Sequence, residues 1–292
     1  MRGDTAVLIP APVIGVSLGW RTWSVILLSS ALGLVALCWP LVIPAIGVTP
    51  QHADDAPFIF AALLPIILML VLAQLSEGGI DARTLAVLGV LSAMNAALRP
   101  ALGVGTAGIE SVFFLLVLAG RAYGPGFGYL FGFTSMFASA FLTAGIGPWL
   151  PFQMLCAAWV GLAAGLLPRR VSGRAEIVML CVVGALSAYA YGAMMNMWFW
   201  PFVSGTGGSL DYVAGAPLLD NLTRFGWFTL LTSTGGWDTG RALTTTLALA
   251  VLGRPVLTVL RRASGMARVI PSVAPNARDT SMDDEPTRIS AA

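Results

Sequence analysis

Lysine is missing from this chain, histidine occurs once, and charged side chains make up only 10% of its 292 residues. A single histidine excludes HExxH zinc sites and multi-histidine metal centres, and the place of that residue, His52, in a polar stretch beside Asp54 and Asp55 argues against Ser-His-Asp catalysis. Cys38, Cys156 and Cys181 each lie inside an apolar run without CxxC spacing, and so read as small core residues. No Gly-Lys-Ser/Thr sequence occurs, which removes P-loop nucleotide hydrolysis. No cofactor or metal is expected. All 16 basic residues are arginine, the net charge is only +2, and the arginines are scattered at helix ends. That distribution does not make the basic stripe of a nucleic-acid binder.

What fills the chain instead is apolar. With 57% hydrophobic residues and a mean hydropathy of +0.83, against about 25% charge in an ordinary soluble domain, it is expected to be an all-α polytopic membrane protein. Apolar runs of membrane-spanning length place spans at 23–46, 57–76, 84–99, 106–121, 125–144, 150–168, 176–198 and 242–261. The run from Ala6 to Leu18 is broken by Pro10 and Pro12, so no cleavable signal peptide is expected there. With a cytoplasmic N-terminus, Arg2, Arg21, Arg83, Arg121, Arg169, Arg170, Arg174, Arg261, Arg262 and Arg268 fall inside and Arg99, Arg224 and Arg241 outside, as the positive-inside rule requires. Asp211, Asp220 and Asp238 also fall outside.

The expected organisation is a cytoplasmic segment at 1–22, a two-helix accessory hairpin at 23–82, a six-helix unit at 83–262 and a cytoplasmic tail at 263–292. The tail is rich in Pro, Ser and Asp and is expected to be disordered. The connection at 199–241 carries Phe225, Trp227, Phe228 and Trp237. Its aromatics argue for an ordered cap over the outer mouth.

Within the six-helix unit, Gly89, Ala93 and Ala97 recur every four residues, with Ala86 and Ala96 beside them. Such a stripe lets another helix approach closely, either a partner's or a neighbour in the same bundle. Glu110 sits near the outer end of the fourth span and Arg99 at the outer end of the third. An ionisable pair at that depth marks a functional site or a structural tie between helices. Asn95 faces the same region. Gln153, with Trp149, belongs to a Pro-Trp corner (GIGPWLPFQM, 145–154) that approaches it from another helix end. The seventh span ends in an aromatic and methionine belt (YAYGAMMNMWFWPF, 189–202). That belt is an interfacial anchor, or a pocket lining in which Tyr189, Tyr191, Asn196 and Trp198 hold a flat ligand under Trp227 and Trp237. The Gly-rich turn GRAYGPGFGYLFG (120–132) follows a membrane helix and not a strand. Its glycines therefore serve a tight turn and close packing, not phosphate binding.

The helix LAVLGVLSAMNAALRPALG, the Gly-rich turn and the corner followed by WVGLAAGLLPRR together resemble the substrate-binding S component of energy-coupling factor (ECF) vitamin transporters, over about 84–262. The resemblance implies a six-helix bundle that captures a micronutrient from outside, joins a transmembrane scaffold subunit and two cytoplasmic ATPase subunits, and topples in the membrane to release its cargo. It also implies that Gly89, Ala93 and Ala97 dock on the scaffold. The corner looks most like members proposed to take cobalamin or related compounds. The N-terminal hairpin and the long 199–241 connection depart from the common core. A self-contained secondary transporter and an intramembrane enzyme remain open alternatives. The absence of paired carboxylates, a nucleophile-base pair or a metal cluster in the spans weighs against the enzyme, and the lack of an evident internal repeat against the transporter.

Overall fold

The computed structural model describes residue 16 and residues 19–38, 40–41, 80–101, 109–143, 145–203 and 208–265. The expected span at 57–76, His52 and the tail beyond 265 lie outside the described residues. Every regular element among the described residues is helical: α1 (Trp20–Leu37), α2 (Ala82–Ala101), α3 (Val112–Tyr123), α4 (Pro125–Leu142), α5 (Leu150–Leu166), α6 (Gly173–Val203), α7 (Leu218–Thr229), a π-helical segment (Leu230–Asp238) and α8 (Thr239–Gly265). Among the described residues three stretches are long and apolar enough to cross a membrane: Trp20–Leu37, Gly173–Phe202 and the continuous run Leu218–Ser264.

The bundle is built around α3. Each residue from Val112 to Gly120 is buried, because α2, α4, α5, α6 and α8 all pack against this helix. Backbone proximity makes that possible. A Cβ on Gly120 or Gly128 would strike the Gly161 carbonyl, one on Gly132 would strike the backbone at Ala158, and one on Gly165 the backbone at Pro125. The glycines of the Gly-rich turn thus bring α3, α4 and α5 into contact, the means by which helices associate when both sides are equally apolar. Only Gly124 serves the turn itself: its φ of 96° lies where L side chains are strained, and Pro125 then starts α4 at a position that needs no N–H donor. Gly161→Ala is expected to lower the amount of folded protein sharply, because the new methyl meets Gly128 backbone that cannot rotate away. Overpacking of this kind costs about 1 to 3 kcal/mol or more, readable as a fall in thermal unfolding temperature in detergent.

Two polar ties join α1 to this core: Ser29 shares a 2.8 Å hydrogen bond with Tyr129 of α4, and Trp159 of α5 donates its indole N–H to Ser30 at 2.9 Å. Gly33 lies against Leu155. The first helix of the expected accessory hairpin is therefore seated on α4 and α5. At the start of α2, Asp81 caps the helix by accepting the Thr84 N–H at 2.8 Å, and hydrogen bonds from the Thr84 side chain and backbone hold its carboxyl below the usual aspartate range. Of the cysteines, Cys156 is buried in the core while Cys38 and Cys181 are half-buried.

The connection expected over 199–241 is replaced along most of its length by helix, which begins at Leu218 and runs without a break into α8. Its outer side carries Leu218, Leu219, Leu222, Leu230 and Leu231, all exposed, a composition suited to lipid contact and not to a water-facing cap. What anchors it is Trp200, fully buried, whose indole N–H bonds to the Leu210 carbonyl at 2.8 Å while Tyr212, Phe225 and Phe228 surround its ring.

Candidate functional site

Two networks of buried charge mark the ends of α3. At one end Arg121 and Arg261 both bind Glu176, at 2.5 Å and 2.6 Å. Arg121 also donates to the carbonyls of Leu167, Pro168 and Val171, Tyr123 donates to the Leu260 carbonyl and Arg83 to that of Ala263. This Arg-rich end ties α2, α3, α6, α8 and the α5–α6 turn together. At the opposite end Glu110, just ahead of α3, lies between two guanidinium groups, 2.8 Å from Arg241 and 3.9 Å from Arg99.

Along α8 the two networks are held by Arg241 and Arg261, about 30 Å apart at 1.5 Å per residue, which is close to the thickness of a hydrocarbon core.

The Glu110 network continues into the helix 218–265. Arg241 donates from Nη1 to Asp238 at 3.0 Å, and Asp238 accepts the Ser233 hydroxyl at 2.9 Å. Asp238 is 1% exposed; it reaches α6 because residue 192 is glycine, where a Cβ would strike the Asp238 carboxylate. The Arg241 guanidinium also stands over the rings of Tyr191 at 5.1 Å and Phe113 at 5.8 Å, a placement that cation–π attraction favours. Arg99 turns its other side to Ser139, at 3.3 Å.

Above these charges a cavity of about 360 Å³ opens between α6 and the π-helical segment. Tyr191, Asn196 and Phe199 form one wall; Phe228, Trp237 and Arg241 contribute to the other. The wider turns of a π segment re-aim side chains relative to an α-helix, and such segments recur at functional sites. Here the segment turns Ser233, Trp237 and Asp238 toward the same opening.

The residues expected from sequence divide accordingly. Tyr191, Asn196 and Trp237 line the cavity, and Arg99 and Glu110 join it through Arg241. Tyr189 does not line it, its hydroxyl lying 3.0 Å from that of Thr239, and Trp198 is buried against Phe152 with its indole N–H unpaired. Trp227 points outward and is absent from the lining. Trp149 folds over Gly147 and bonds to the Gly145 carbonyl at 3.2 Å, and Gln153 is half-buried one turn into α5; neither lines the cavity. Asn95 is 1% exposed with both amide atoms unpaired. The sequence reading does not include Asp238, Arg241 and Ser233 among the site residues. The signal that could have found them is the Asp-x-x-Arg spacing, which puts both on one face of a helix.

The small-residue stripe lies elsewhere. Gly89, Ala93 and Ala97 are all exposed, as is Ala86, and a Cβ on Gly89 would meet nothing within 4 Å. Among the described residues no helix covers this face of α2.

Residues 83–259 match the protein family described as ECF transporter, substrate-specific component. The chain belongs to this family. It is a membrane-embedded, multi-pass substrate-binding subunit of an ECF-type importer and not an enzyme, and the family associates with an ECF scaffold and ATPase module. No curated protein and no solved structure matches the chain. The matched segment of this S component begins at α2 and ends within α8, so α1 lies outside it.

Proposed function

We propose that this S component captures a vitamin-sized micronutrient from outside a bacterial cell in the cavity between α6 and the π segment, and hands it to the scaffold through α2. The observation that carries this reading is the cavity itself: aromatic walls with a few convergent polar groups, seated on a charge network, fit a small-molecule site. At about 360 Å³ it stands at the lower end of the roughly 300 to 1,000 Å³ typical of such pockets. That volume supports a small vitamin over the corrinoid suggested by the 145–154 corner, since a corrinoid with its side chains is several times larger.

Under this reading the Arg-rich end, with Arg83, Arg121, Arg169, Arg170 and Arg261, faces the cytoplasm, both termini are cytoplasmic, and the partners are one scaffold subunit and two ATPase subunits. A cysteine placed at Ser209 is then expected to react with a membrane-impermeant reagent in whole cells and one at Ser272 not to; the reverse pattern would invert the site. Function is tested by uptake. Proteoliposomes holding the chain with an ECF scaffold and ATPases should accumulate labelled vitamin only when ATP is supplied on the ATPase side, and the chain alone should bind without accumulating. Accumulation by the chain alone under an ion gradient would mean a self-contained secondary transporter.

A further inference from the structure

The ionisable groups at the cavity cancel. Arg241 and Asp238 line it, Glu110 and Arg99 stand directly behind, and every one of the four is engaged: Arg241 with both carboxylates, Glu110 with both guanidinium groups. Among the described residues no further Asp, Glu, Arg or His lines the cavity. A ligand bearing net charge would enter a site that offers it no free counter-charge, and an uncompensated charge removed from water is costly.

The lining also specifies what the ligand must supply. Asn196 lines the cavity and its Nδ2 is shielded from solvent with no hydrogen-bond partner; a buried donor left unpaired costs about 1 to 3 kcal/mol, and turning the amide toward the opening would let a ligand acceptor satisfy it. Trp237 and Phe199 remain 44% and 49% exposed at the opening, with Phe228 and Tyr191 deeper in. Flat faces of this kind pair with a planar ring.

From this balance we infer that the substrate is a formally neutral, planar ring compound that presents a hydrogen-bond acceptor to Asn196 and stacks on Trp237 or Phe199. The inference rests on the cavity being the binding site. It excludes phosphorylated and carboxylated cargo and quaternary cations, because each adds a charge to a site already balanced.

The test uses the full chain in lipid nanodiscs, incubated with an equimolar mixture of water-soluble vitamins together with phosphorylated, carboxylated or N-methylated counterparts of the neutral ones. After washing, the retained molecules are released and identified by mass spectrometry. A neutral ring compound should be retained at least about tenfold over its charged counterparts, and Asn196→Ala should lower that retention about tenfold at unchanged unfolding temperature. Retention of a charged or ring-free molecule that is lost on Trp237→Ala would overturn the substrate class while leaving the cavity as the site. If nothing is retained, or retention is the same with Asn196→Ala and Trp237→Ala, the cavity is not the site and both readings fall.

Discussion

Ala93→Leu or Ala97→Leu is expected to abolish ATP-driven uptake while changing ligand affinity less than about twofold. Both residues lie on an exposed face of α2, and neither lines the cavity between α6 and the π segment. Gly89, Ala93 and Ala97 form a flat strip along that face, and a partner helix can approach such a strip closely only while it carries no bulk. A leucine there does not disturb the bundle, because no described neighbour occupies the space in which its side chain would lie. The measurements are uptake into proteoliposomes with scaffold and ATPases, and ligand binding by the isolated chain. Parallel loss of both activities would place the stripe in internal packing and remove the docking proposal.

The second large effect is expected at Arg241. Arg241→Gln strands Asp238, which is 1% exposed, and leaves Glu110 with Arg99 at 3.9 Å as its remaining partner. Removing one member of a buried ion pair costs about 3 to 5 kcal/mol, so the unfolding temperature should fall by many degrees and affinity by at least about tenfold. Loss of folding could by itself explain weaker binding. The double variant Arg241→Gln with Asp238→Asn separates the two, since it restores neutrality and leaves the Arg99–Glu110 pair in place. Stability should then largely return while affinity stays at least about tenfold weak. Recovery of both together would assign the network to helix packing alone.

The parts of this arrangement legible in the sequence are those written in local pattern. Apolar runs near bilayer length gave α2 and α4 to α6 within a few residues, and charge inside apolar surroundings singled out Arg99 and Glu110. The aromatic belt of α6 contributed Tyr191 and Asn196. Residues 218–241 do not carry a clear helical pattern, because Gly235 and Gly236 and a run of Thr and Ser lower helix propensity. The segment nevertheless continues as helix, in a π form that sequence periodicity at 3.6 residues does not register. Sequence pattern therefore puts Arg241 and Asp238 in an outer connection, although tertiary packing buries them. Gly192 shows the same limit: its role depends on a carboxylate brought against it from a helix about 46 residues later in the chain, a distance that no local spacing encodes. Trp149 and Gln153 sit beside proline in a conspicuous motif, yet the direction of their side chains is set by how α5 packs.

A structure of the full chain with its bound micronutrient tests the central proposal most directly. Ligand density between Asn196 of α6 and Trp237 of the π segment, above the Asp238–Arg241 pair, is the expected result. Density at the Trp149–Gln153 corner, with the α6 cavity empty, would contradict it.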